Sequence, residues 1–148
     1  MTKFHLAQIN IAQAQDAMES ETMQGFVDRL DEINALADSA KGFVWRLQDD
    51  QGDATSIRAF DDPELLVNMS VWKDLESLKS YVYKSLHVEL IRDRDAWFNK
   101  MLKAHQTIWW IPAGNIPSIE EGKEKLDYLQ KHGVSKTAFT FAKPFDHD

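Results

Sequence analysis

Two rhythms of apolar residues alternate along the chain. Where they recur near every second position a strand is expected, because successive side chains leave a strand on opposite faces; where they recur every three or four positions they make one stripe of a helix. Residues 4–11 alternate imperfectly but suit a strand, and Ser20, ahead of the next periodic segment, is the expected N-cap of a helix. From Met23 onward, Phe26, Val27, Leu30, Ile33 and Ala37 keep the helical period, and Gly42 stands where a left-handed residue would end it. Residues 43–48 return to strand character, residues 49–53 form a turn, residues 54–62 are poorly periodic, and Pro63 leads into a third strand at 65–72. Leu75, Leu78 and Val82 restart the helical period. A second helical stretch from Ser85 carries Leu90, Ile91, Trp97, Phe98 and Met101, as one bent helix or two short ones. Residues 105–112 make a fourth strand, closed by Pro112-Ala-Gly114.

Strand, helix, strand, strand, helix, strand is the split βαβ order, which predicts an α+β fold: a ferredoxin-like antiparallel sheet with two helices on one face and the other face left bare. A further C-terminal helix opens on the capping box Ser118-Ile-Glu-Glu121 and ends at Gly133, and residues 138–141 supply a short last strand. No linker, repeat or low-complexity tract interrupts the order, so residues 1–148 read as a single domain.

Composition narrows the function classes. A hydrophobic fraction of 43% and a charged fraction of 28% are those of an ordinary globular domain. The balance of 24 acidic against 17 basic residues gives a net charge of −7, a field that repels phosphate backbones, so no nucleic-acid partner is expected. Lys84, Arg92, Arg94, Lys100 and Lys103 are interleaved with Glu89, Asp93 and Asp95, the pattern of a solvated helix face. Zero cysteines exclude disulfides, thiolate metal sites and a cysteine nucleophile. No apolar run reaches the roughly 20 residues of a membrane span and the first residues do not read as a signal peptide, which makes a cytoplasmic protein without a membrane partner the expectation.

The third strand holds the best candidate site. Alternation sets Val67, Met69 and Val71 on one face and Leu66, Asn68, Ser70 and Trp72 on the other. The apolar set is expected beneath the helices, leaving Asn68, Ser70 and Trp72 on the bare face, where a second copy of the chain would cover them and a small ligand would bind. In the fourth strand His105, Thr107 and Trp109 separate from Gln106, Ile108 and Trp110; in the second, Phe43, Trp45 and Leu47 separate from Val44, Arg46 and Gln48. Tryptophans with a few amides, a hydroxyl and Arg46 suit a small planar or hydrophobic molecule; the same aromatics also suit a dimer interface.

On a helix, His87 shares a face with Leu90, Ile91, Arg94, Phe98 and Met101 and points inward. Two readings stand open: a core histidine bonded to a backbone carbonyl, or a general base or axial metal ligand. His87 and Glu89 split across a helix face, and no paired-histidine zinc motif, glycine-rich phosphate loop or nucleophile elbow occurs, so no protein-only metal centre, nucleotide site or serine-hydrolase site is expected.

Several stretches together carry a resemblance: Leu6-Ala-Gln-Ile-Asn10, Gly42-Phe-Val-Trp-Arg-Leu-Gln48, Asp62-Pro63 with Leu66-Val-Asn-Met-Ser-Val-Trp72, Trp109-Trp-Ile-Pro-Ala-Gly114, and Ala138-Phe-Thr-Phe141. From about Phe4 to Phe145 the chain resembles the domain-of-unknown-function family 3291. The resemblance implies a dimeric α/β-barrel similar to antibiotic-biosynthesis monooxygenases, in which two sheets pack face to face. It brings no established activity. Related barrels include cofactor-free oxygenases and haem-degrading enzymes with an Asn, Trp and His constellation, for which Asn10 or Asn68, Trp72 and His87 are loose counterparts. The leading expectation is therefore an oxygenase-like or isomerase-like enzyme without a cofactor. In it His87 moves a proton, Asn68, Ser70, Trp72, Arg46 and Asn10 hold the substrate, and Trp97 or Trp109 excludes water. The alternatives are a non-catalytic ligand-binding or structural homodimer, and a haem-binding protein.

Overall fold

The computed structural model describes residues 3–17, 20–48, 65–84, 97–99, 105–141 and 143–146. The expected turn at 49–53, Pro63, and most of the second helical stretch, His87 included, lie outside them. The order of elements is β1 (Phe4–Ala14), α1 (Gln24–Ser39), β2 (Phe43–Arg46), β3 (Leu65–Trp72), α2 (Leu75–Lys84), β4 (Phe98–Asn99), β5 (Gln106–Pro112) and α3 (Ile119–His132). Among the described residues no helix is long and apolar enough to cross a membrane.

The sheet runs β2-β3-β1, with β5 and the two-residue β4 sharing the far edge of β1. Every pairing is antiparallel. This is the ferredoxin-like order that the split βαβ pattern predicts. The last expected strand is reduced to a bridge, Phe139 exchanging both backbone hydrogen bonds with Ile108 at 2.9 and 3.0 Å.

Three local expectations change. The first strand runs on to Ala14 and its end pairs with Phe98–Asn99, so Phe98, read as helical, is strand; the neighbouring Trp97 carbonyl accepts from Gln15 N at 2.8 Å. Tertiary pairing overrides an apolar pattern that suits either conformation. Ser20 does not cap α1, which starts at Gln24 with Met23 as its cap and no side-chain bond. Ser118 does cap α3, accepting from Glu121 N at 3.0 Å, but the Glu121 carboxylate accepts from the Trp109 indole at 2.8 Å, which spends the group expected to reach back on tying the helix to the sheet.

The distribution of helices over the two faces corrects the expectation of a bare face. Ala7, Ile9, Ile11, Val67, Met69, Val71, Trp109 and Ile111 form one core, and its helical cover is the C-terminal α3, through Leu126 and Ile119. A Cβ at Gly122 would stand 3.0 Å from Ile9 Cδ1 and Met69 Cε, so the glycine sets how closely this helix approaches the sheet. On the other face Leu6, Trp72 and Ile108 pack with Leu78 and Tyr81 of α2 and with Phe139. Helix α1 joins them, Ile33 O accepting from the Tyr81 hydroxyl at 3.2 Å. The polar and aromatic face, expected to be open, is thus the one beneath α1 and α2. The Gly42 backbone at φ 84° fits the tight link from α1 to β2, and a Cβ there would collide with the Ser77 side chain.

Candidate functional site

The cross-strand register orders the helix-side face into rows. Trp110, Leu6, Trp72 and Phe43 form one row, Ile108, Gln8, Ser70 and Arg46 the next, and Gln106, Asn10 and Asn68 the third. Polarity rises row by row. Arg46 belongs here because of an irregularity between Phe43 and Trp45: Phe43 stands opposite Trp72, Trp45 opposite Val71, and Arg46 opposite Ser70. Strict alternation separates Phe43 from Arg46; a bulge rephases the strand and returns both to one face.

Inside this face a chain of hydrogen bonds is closed. Gln8 Nε2 donates to Asn68 Oδ1 at 2.6 Å and to Ser70 Oγ at 2.8 Å, and Trp72 Nε1 donates to the same Oγ at 2.8 Å. Gln8 and Ser70 are buried, as is Trp72, while Asn68 is exposed, so the chain leads from the core to solvent. Burying amides and hydroxyls costs roughly 1–3 kcal/mol each when they are left unpaired, and here they satisfy one another. Beside Asn68, the Oδ1 of Asn10 is buried and has no hydrogen-bond partner among the described residues.

Aromatic groups wall the row of amides at both ends. Trp72 stacks on Tyr81 with centroids 5.1 Å apart and meets Phe43 edge-on at 5.4 Å. Burial pushes the Tyr81 hydroxyl up to about 12, with Arg46 opposing the shift and Asp38 adding to it. Arg46 grips Asp38 of α1 through Nε at 2.7 Å and Nη2 at 3.3 Å, which fixes the guanidinium above the sheet. At the other end Trp97 packs with Ala14, Met23, Phe26 and Phe98, with Arg29 5.2 Å above its ring. Ala14 shares the face of Asn10 four residues on, about 13 Å along the strand.

The residues singled out from sequence therefore divide. Asn10, Arg46, Asn68, Ser70 and Trp72 come together on one face. Trp97 borders the same face from the far end of β1. Trp109 lies on the opposite face, its indole bonded to Glu121 of α3. His87 lies outside the described residues. Gln8 and Tyr81 were missed, although two polar residues at 8 and 10, spaced by two in the apolar middle of β1, signal a polar face.

Haem iron takes an axial His, Cys, Met or Tyr. Among the described residues, His5 stands opposite Ile111 on the α3 side, His132 packs on Tyr128 of α3, His105 precedes β5, and the Tyr81 hydroxyl is committed to Ile33 O. Met23 is buried beside Trp97 at the far end of the face, and no group of three metal-binding side chains occurs among the described residues. Amides, a hydroxyl and an indole suit hydrogen bonding to an organic molecule.

Sheet order and helix placement define an α+β protein of the ferredoxin-like class. The family model for a domain of unknown function (DUF3291) matches residues 5–148, and the chain belongs to that family. Solved structures similar to it include a protein of unknown function from Nitrosomonas europaea, 14% identical, covering 80% of this chain and 97% of that one with a TM-score of 0.48. SnoaB, a cofactor-independent oxygenase from Streptomyces nogalater, is 14% identical, covering 76% and 95% with a TM-score of 0.47. A dabb family protein with a ferredoxin-like fold from Mesorhizobium loti is 14% identical, covering 78% and 100% with a TM-score of 0.44. No curated protein matches the chain.

Proposed function

We propose that the helix-side face of the sheet binds a small, flat, largely apolar organic molecule, and that the chain carries out oxygenase-like or isomerase-like chemistry on it. The observation that carries this reading is the hydrogen-bonded chain from Trp72 through Ser70 and Gln8 to the exposed Asn68, bordered by an unpartnered Asn10 oxygen. An interior sheet face serving packing alone has no use for four polar side chains at its centre. Asn68 and Asn10 orient the ligand, Trp72 acts through Ser70 because its own ring is already covered, Arg46 stabilises developing negative charge, and His87 moves the proton.

The tryptophans make the test self-controlled. In a ¹⁵N-labelled sample titrated with naphthalene-sized aromatics, the Trp72 indole signal is expected to shift while that of Trp109, on the opposite face, stays in place. Shifts at Trp109 alone, or none at all alongside a dimeric mass by light scattering, would favour the competing structural dimer. A ligand found in this way is then incubated aerobically with the protein and with His87→Ala; equal turnover by both would remove His87 from the scheme.

A further inference from the structure

The hydrogen bonds within the site determine which polarity it offers a ligand, and we infer that Gln8 sets Asn68 and Ser70 as paired donors, so that at these two residues the site selects an acceptor oxygen, with the Asn10 oxygen beside them as a separate acceptor. This inference rests on the small-molecule reading above and specifies its ligand class.

The argument starts at Ser70. A hydroxyl has two acceptor positions and one proton. Both acceptor positions are taken, by Gln8 Nε2 at 2.8 Å and Trp72 Nε1 at 2.8 Å. An indole N–H only donates, so the direction of the second bond is fixed by chemistry. The Ser70 proton is left to donate away from both neighbours. Asn68 is constrained in the same way: its Oδ1 accepts from Gln8 at 2.6 Å, which turns its NH₂ group outward on an exposed residue. Both oxygens are held by one nitrogen, which sets the buried Ser70 hydroxyl and the exposed Asn68 amide side by side. A carbonyl oxygen, with two lone pairs, matches them. Gln8 itself is buried and touches the ligand only through these partners, which makes it a positioning residue. With its amide turned the other way it would accept from both partners, and the face would offer acceptors instead.

Three probes of one size separate these cases: 1-tetralone, which has an acceptor oxygen; 1-naphthylamine, a donor; and naphthalene, which has neither. Binding is read from the Trp72 indole and Asn68 side-chain amide signals. Wild-type protein is expected to bind 1-tetralone about tenfold more tightly than 1-naphthylamine, the worth of one well-made hydrogen bond. Asn68→Asp keeps an acceptor for Gln8 but replaces the outward NH₂ by a carboxylate oxygen at a solvent-exposed position, so the fold is retained and the preference inverts. Gln8→Met frees both partners to turn and brings the ratio close to one.

A wild-type preference for 1-naphthylamine, or a ratio unchanged in Asn68→Asp, would overturn the inference while leaving the small-molecule site standing. Equal binding of all three probes would do the same. If none of them moves the Trp72 signal, the inference falls together with the reading it rests on.

Discussion

The two faces of this sheet are both buried under helices, yet they are built on opposite principles. The face under α3 is apolar through its middle, from Ala7, Ile9 and Ile11 across to Val67, Met69 and Val71, with His5 and the buried Thr107 at its margin, and is closed by a helix whose Gly122 backbone all but touches the sheet. The face under α1 and α2 carries Gln8, Asn10, Asn68 and Ser70 in its middle, with its aromatic groups moved to the two ends. Both strands involved contribute to both faces, so propensity and position in the sheet are shared. The difference lies in what each face contacts among the described residues: the first is covered by α3, while the second keeps a polar group open to solvent at Asn68.

The largest way to break this comparison is to damage the dry face. Met69 is fully buried against α3, and Met69→Ala leaves a cavity that close-packed surroundings fill only in part, with an expected loss of about 2–5 kcal/mol. Denaturant unfolding measures it. Since Met69 and Ser70 point to opposite sides, the ligand preference of the polar face is expected to survive in whatever fraction remains folded. A loss of binding in folded Met69→Ala would mean that the two faces are coupled through β3.

A smaller effect is expected from Trp72→Phe. The ring contacts with Tyr81 and Phe43 are kept in part, but the donor to Ser70 is lost and some volume is vacated, which together cost about 1–3 kcal/mol. A second consequence distinguishes this site from plain core: with one acceptor position of Ser70 emptied, its proton is no longer directed outward, and discrimination between ketone and amine probes weakens. A destabilised protein with unchanged discrimination would reduce Trp72 to a packing residue.

The contrast between the faces was partly legible in the sequence. Alternation along 65–72 correctly divides Met69 and its neighbours from Asn68, Ser70 and Trp72, because a strand's period leaves little freedom once its core pairings are made. Alternation does not say which side the helices take. The appended helix opening at Ser118 made the difference: its stripe of Ile119, Leu126 and Leu129 needs an apolar partner, and one face of the sheet is predominantly apolar. Assigning that helix first would have sent α1 and α2 to the polar side. Arg46 was singled out from sequence, but the face it takes was hidden for a different reason, since a bulge shifts the register by one residue and no residue near Val44 announces it. The role of Gln8 follows only from pairing β1 with β3, a long-range contact that periodicity cannot see.

The smallest expected effect concerns the lid over the polar face and is read through pH. The Tyr81 hydroxyl, pushed up to about 12 chiefly by burial, holds α2 to α1 through Ile33 O. An unfolded tyrosine titrates near 10. Below that value both states keep the proton and the tyrosine contributes fully. Between about 10 and 12 the unfolded chain loses its proton while the folded one keeps it, so unfolding is favoured progressively and stability falls as pH rises. Asp74, whose carboxylate accepts from Ser77 N at 2.8 Å at the start of α2, works at the opposite end. Its pKa is lowered, first by the Ser77 side chain, and its contribution is lost as pH drops below the ordinary carboxylate range. Melting temperatures from pH 9 to 12 are therefore expected to decline more steeply in the wild type than in Tyr81→Phe, which is less stable at pH 8 by the worth of one hydrogen bond, about 1 kcal/mol. Parallel alkaline curves for the two proteins would mean that the hydroxyl reaches water in the fold, and that the polar face opens beyond Asn68 toward the helices that cover it.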